Sequence, residues 1–103
     1  MKFLITGANG DIAISISRII KDEFKNSVVE GTDIIKEGPG EYLYKKIYKV
    51  PNPNNKNYLS QIKKVSRDHN VIIPTTENEI KFFLKNYNKF KKKIVLINSQ
   101  FII

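Results

Sequence analysis

The most constraining feature of the chain is a change of hydrophobic period at a glycine turn near its start. Lys2-Phe3-Leu4-Ile5-Thr6 is an apolar run without alternation, as in a strand covered on both faces, and it stops at Gly7-Ala8-Asn9-Gly10. Beyond the turn, Ile12, Ile16, Ile19, Ile20 and Phe24 recur at helical spacing and predict a buried helix face, with Arg18, Lys21, Asp22 and Lys25 left for solvent. Asp11 stands at the start of that helix, where an acid complements the dipole. Ser27-Val28-Val29-Glu30-Gly31-Thr32 then reads as a second strand, closed by Asp33. A strand, a helix and a strand in such a short span form a βαβ unit, which requires a parallel pair.

The rest of the chain extends this pattern. Residues 34–57 are looser: Gly38-Pro39-Gly40 breaks any helix, and Lys46–Val50 is a short extended piece before the turn-rich Pro51-Asn52-Pro53-Asn54-Asn55. A helix is expected from Asn57 to Asp68, burying Tyr58, Leu59, Ile62 and Val65. Val71-Ile72-Ile73-Pro74 reads as a third strand, and a third helix is expected from Glu77 to Phe90 with Ile80, Phe83, Leu84, Tyr87 and Phe90 on one stripe. Lys93–Ile97 reads as a fourth strand. The alternation predicts an α/β fold: a doubly wound, mostly parallel sheet of about four strands with helices on both faces. No linker or repeat divides it, so residues 1–103 are read as one domain.

Composition excludes several functions. The chain has no Cys, hence no disulfide framework, thiolate metal site or Cys nucleophile, and its one His excludes any site built on two imidazoles. No apolar run approaches the roughly 18 residues of a membrane span, and Met1-Lys2-Phe3 reads as running into a strand rather than as a signal peptide, so a cytoplasmic domain is expected. The formal charge is +8, and it is asymmetric: residues 1–40 carry a balance of −1 and residues 41–103 a balance of +9. Yet 16 of the 18 basic residues are Lys, whereas bidentate phosphate and base recognition leans on Arg. Nucleic acid is therefore not the expected partner. A basic interaction domain whose later half binds a polyanion remains an alternative.

Two segments carry candidate chemistry. The turn Gly7-Ala8-Asn9-Gly10-Asp11 lets backbone approach a ligand closely, and free N–H groups at a helix start favour an anion. Ala13 stands where a dinucleotide fingerprint has its third small residue, and Asp33, 23 residues beyond Gly10, is near where an acid would hold a ribose hydroxyl. The same residues also suit any tight strand-to-helix turn. The second segment, Pro74-Thr75-Thr76-Glu77-Asn78-Glu79, lies where the third strand delivers its carboxyl end, the edge at which open α/β sheets bind ligands. Thr76 with Glu79 three residues on reads as a capping box, with Thr75 and Glu77 open to ligand contact. His69 is expected to cap a helix or face water. Lys89–Lys93 reads as a solvated helix end, and Tyr42, Tyr44 and Tyr48 as cover for a loop.

Taken in order, these segments resemble the N-terminal pre-ATP-grasp domain of ATP-grasp ligases, most nearly of enzymes similar to the carbamoyl-phosphate synthase large subunit. The resemblance rests on Leu4-Ile5-Thr6-Gly7-Ala8-Asn9-Gly10-Asp11-Ile12, Gly31-Thr32-Asp33, Tyr48-Lys49-Val50-Pro51, Tyr58-Leu59 and Ile72-Ile73-Pro74-Thr75-Thr76-Glu77-Asn78-Glu79-Ile80. It implies a Rossmann-like sheet of strand order 3-2-1-4 that packs against an ATP-grasp module and forms the substrate side of the active site. On that resemblance Gly7, Asn9, Gly10, Asp11, Asp33, Thr75, Thr76, Glu77 and Glu79 are expected to face a small-molecule carboxylate or amine substrate.

The same resemblance implies no cofactor and no metal in this chain. In that family ATP and Mg²⁺ are held by the module that follows this domain, supplied in cis or in trans. The chain is then not catalytic alone, and is expected to be the N-terminal part of a longer ligase or a remnant working with a partner. Its apolar Phe101-Ile102-Ile103 ending makes a homo-oligomer possible. The rival enzyme is an NAD(P)-binding short-chain dehydrogenase or epimerase fragment. Its Tyr-x-x-x-Lys pair has matches in Tyr42–Lys46 and Tyr87–Lys91, both too early in the chain.

Overall fold

In a computed structural model, which describes residues 1–90 and 93–95, the first strand β1 (Lys2–Thr6) runs into the glycine turn and helix α1 (Asp11–Glu23). Strand β2 (Val28–Asp33) follows, then β3 (Ile47–Lys49), helix α2 (Tyr58–Ser66), β4 (Val71–Ile73) and helix α3 (Glu77–Lys85). All pairings are parallel, and the sheet order is β3-β2-β1-β4, the 3-2-1-4 arrangement expected of a Rossmann-like α/β fold. Third place in the chain is taken by Ile47–Lys49, the short extended piece, so Val71–Ile73 becomes the fourth strand. Of the expected strand at Lys93–Ile97, Ile94 makes a parallel bridge to Ile72, and Leu96 and Ile97 lie outside the described residues.

Alternation along the buried strands sends side chains to two cores. Phe3 and Ile5 pack with Ala8, Ala13, Ile20 and Val29 under α1, whereas Leu4 and Ile72 pack with Tyr58, Ile62, Phe83 and Phe90 under α2 and α3. Helices therefore cover both faces.

The buried face of α1 differs from the expected stripe. Ala13, Ser17 and Ile20 are buried and Ile16 is half-buried, while Ile12 and Phe24 are exposed and Ile19 is 59% exposed. Small residues let the helix sit close to the sheet, and the Ser17 hydroxyl satisfies itself by donating to the Ala13 carbonyl at 2.8 Å. The third helix also stops earlier than expected. The Asn86 backbone N–H and side-chain amide both donate to the Phe82 carbonyl, closing α3, and Tyr87–Phe90 forms a separate 3₁₀ turn. Leu84 and Tyr87 consequently face solvent.

His69 meets the end of α2, the capping half of its expectation, but does not face water. It is buried, with Nε2 2.9 Å from Glu30 Oε1 and Nδ1 2.9 Å from the Val65 carbonyl. Among the tyrosines, Tyr44 is buried and donates to the Ala8 carbonyl, while Tyr42 is 92% exposed. No helix of the described residues is long and apolar enough to cross a membrane.

Candidate functional site

A parallel sheet gathers the loops after its strands along one rim, and β1, β2, β3 and β4 all deliver theirs there. Gly7 opens the first loop with φ +66, a left-handed backbone that glycine adopts without cost. The turn then closes on itself, since Gly10 N–H donates to the Gly7 carbonyl at 2.9 Å and Ala8 N–H to the Thr32 carbonyl at 3.0 Å. Asn9 fastens the neighbouring loop. Its amide donates to the Ile35 carbonyl at 2.9 Å and accepts from Gly40 N–H at 3.0 Å. Asp33 joins the two loops: one carboxylate oxygen accepts from Asn9 N–H at 2.9 Å and the other from Ile34 N–H at 2.7 Å.

The loop after β4 comes from the opposite side. Thr75 turns back on β1, its hydroxyl donating to the Thr6 carbonyl at 2.6 Å. Thr76 caps α3 as expected, its hydroxyl oxygen accepting Glu79 N–H at 3.2 Å. The return half of the expected capping box takes a different form, because the Thr76 hydroxyl donates to Glu79 Oε1 at 2.8 Å and the Tyr58 hydroxyl donates to Glu79 Oε2 at 2.6 Å. Burial raises the Glu79 carboxyl above its ordinary value despite these hydrogen bonds, and burial together with the facing Glu79 charge raises the Tyr58 phenol strongly.

These loops enclose a cleft of about 180 Å³. Gly7 and Asp33 line one side, Thr76, Asn78 and Glu79 another, and Ile34 with Val50-Pro51-Asn52-Pro53 the rest. Of the residues singled out from sequence, Gly7, Asp33, Thr76 and Glu79 meet here. Asn9, Gly10 and Thr75 instead brace the loops behind it, Asp11 is exposed on the first turn of α1, and exposed Glu77 forms an ion pair with Lys81 at 3.4 Å. Sequence reasoning misses the Val50–Pro53 wall, Asn78 and the contact of the Tyr58 hydroxyl with Glu79. The first of these had a signal: once Lys46–Val50 is accepted as a strand, the prolines after it must stand on the same rim.

The family model for the PylC-like N-terminal domain matches residues 3–97. The chain belongs to this family. PylC-like N-terminal domains are pre-ATP-grasp domains of ATP-grasp ligases, which agrees with the sheet order. No curated protein matches the chain. The cleft of this PylC-like domain does not fit Mg²⁺–ATP. Among the described residues no Lys or Arg lines it to hold phosphates, and no three metal-ligating side chains come together.

Glu79 gives the site a pH signature. A carboxyl raised in the folded state binds its proton more tightly there than in the unfolded chain. Its contribution to stability is thus full below about pH 4.5 and is lost as pH rises through the folded value. Glu79→Gln is expected to remove this loss. Urea titrations should show the variant gaining on the parent as pH rises above 4.5 toward neutrality. An unchanged difference across that range would mean that Glu79 does not titrate with the fold.

Proposed function

We propose that this chain supplies the substrate side of an ATP-dependent carboxylate–amine ligase, similar in plan to the carbamoyl-phosphate synthase large subunit. ATP and Mg²⁺ are handled by an ATP-grasp module in cis or in trans, and the chain alone does not catalyse. The observation that carries this reading is the character of the rim cleft. It is small, two of its lining residues are the acids Asp33 and Glu79, and among the described residues none that lines it is basic.

Such a lining suits the ammonium or amine end of a small acceptor better than a carboxylate. Asn52 and Asn78 add amide donors and acceptors, and Pro51 and Pro53 a stiff apolar wall that costs little entropy to order. The dehydrogenase alternative fares worse on the same geometry. Gly10 N–H is spent on Gly7 rather than open to a pyrophosphate.

The test is a titration of the ¹⁵N-labelled chain with a panel of amino acids and diamines, and separately with NADP⁺. Weak binding by an amine-bearing member, with shifts at Gly7, Asn52 and Asn78, is the expected result. NADP⁺ should leave the spectrum unchanged through the millimolar range. Micromolar NADP⁺ affinity, or no shift at the rim with any amine, overturns the proposal.

A further inference from the structure

A second cavity lies at the other end of the sheet. Helix α2 starts at the rim, where Tyr58 meets Glu79, and ends beside the start of β1, where Asn70 N–H donates to the Lys2 carbonyl. Its nine residues put the two ends roughly 13 Å apart at 1.5 Å per residue. Beyond its last turn opens a hollow of about 270 Å³, lined by Lys63, Ser66, Arg67, Lys89, Phe90 and Lys93. Four of these six residues are cations, drawn from α2 and its C-cap, the 3₁₀ turn and the segment after it, and no acid is among the six.

The ordinary explanation for such a cluster is that lysines neutralise the negative end of a helix. One residue here does that job. The half-buried Lys93 ammonium donates to the Ser66 and Arg67 carbonyls at 3.2 Å each. Lys63, Arg67 and Lys89 remain exposed, and among the described residues none of them is in an ion pair. Phe90, buried against Phe83 and Phe82, lies at the hollow as a low-dielectric wall that strengthens the field of the surrounding charges. Like charges held together in a concave apolar-walled site repel one another, and a multivalent anion relieves that repulsion.

We infer that this hollow is a binding site for a small ligand carrying two or more linked phosphate groups. Arg67, one of only two arginines in the chain, presents a planar fork suited to a phosphate edge, and the lysines add point charges around it. A nucleic-acid track is disfavoured by the shape. The cations converge on one hollow rather than following a stripe, and buried Phe90 offers no face for a base to stack on. The exposed Tyr42 belongs to a different cavity, with Lys21 and Lys45.

The probe is inorganic tripolyphosphate, titrated calorimetrically into the full chain at low salt. One-to-one binding that weakens with added salt is expected, falling roughly tenfold or more in a Lys63→Gln, Arg67→Gln, Lys89→Gln variant that removes three charge-assisted contacts. A control variant with the same net charge, Lys25→Gln, Lys36→Gln, Lys56→Gln, changes only exposed lysines outside the hollow and should bind as the parent does. Circular dichroism melts establish that both variants are folded. No binding by the parent, an equal loss in the two variants, or tighter binding of a single-stranded oligonucleotide than of tripolyphosphate overturns the inference.

Discussion

Gly7→Ala is expected to lower the unfolding free energy of this domain by about 3 kcal/mol, a large share of the 5–15 kcal/mol typical of a folded domain. Two penalties add. The backbone at Gly7 has φ +66, which costs an L-residue roughly 1–2 kcal/mol. A Cβ there would also lie 2.7 Å from Thr76 Cγ2 and 2.8 Å from Thr75 Oγ1, and forced overpacking costs about 1–3 kcal/mol. Neither neighbour can swing away cheaply. The Thr75 hydroxyl is tied to the Thr6 carbonyl, and the Thr76 hydroxyl is bonded to Glu79 while it caps α3.

The matched control is Gly10→Ala, where φ is −80 and the added Cβ would meet only the Gly7 carbonyl oxygen, at 3.2 Å. It should cost well under half as much. Urea unfolding of the two variants decides the matter. Equal, small losses would mean that the two rim loops do not approach one another as closely as described, and the cleft with its Glu79 carboxyl would lose its floor.

How much of this was legible beforehand follows from the range of the forces involved. The first βαβ unit, the rim and the Thr76 cap are set by local signals: an unalternating apolar run, a glycine turn, a threonine before an acid-rich helix start. The buried face of α1 is not legible locally because both of its stripes look suitable. Ile12 and Ile19 outweigh Ala13 and Ser17 on any hydrophobic scale, yet closeness of approach to the sheet selects the smaller pair. Ile47–Lys49 is only three residues long, too short for a period to register, and its strand character comes from pairing with Gly31, Thr32 and Asp33. With that strand uncertain, the Val50–Pro53 wall could not be placed. Tyr58 was expected in the core from its spacing, but nothing local reveals that its hydroxyl meets a carboxylate 21 residues away.

The same lesson applies to Glu30, and there a signal did exist: an acid in the middle of a doubly covered strand requires a partner. The chain has one His, and it supplies that partner from 39 residues away. His69 Nε2 lies 2.9 Å from Glu30 Oε1 and Nδ1 2.9 Å from the Val65 carbonyl, so the ring bridges the carboxylate to the last turn of α2. Tyr48 donates to the same Glu30 oxygen at 3.1 Å, and Lys2 stands 3.6 Å from it. Burial pushes the Glu30 carboxyl up, but the His69 and Tyr48 hydrogen bonds and the Lys2 charge outweigh it and hold the group below its ordinary value.

His69→Ala should therefore cost about 3 kcal/mol near neutral pH, the order seen when one partner of a buried pair is removed and a cavity is left. The sign of the pH dependence separates the two contributions. An acid lowered in the folded state contributes stability that is present above pH 4.5 and is lost as pH falls through the folded value. Without His69 the chief lowering contact is gone, so Glu30 takes up its proton at higher pH and that stability drains away sooner. The gap between parent and variant should be widest near neutrality and narrow as pH falls below 4.5 through the folded value, where Glu30 takes up its proton in the parent as well. Urea midpoints at the two ends of this range measure it, and a Glu30→Gln, His69→Ala double-mutant cycle isolates the coupling. A gap that stays constant with pH, or a coupling near zero, would show that His69 supports the sheet by filling space alone and not by holding the charge on Glu30.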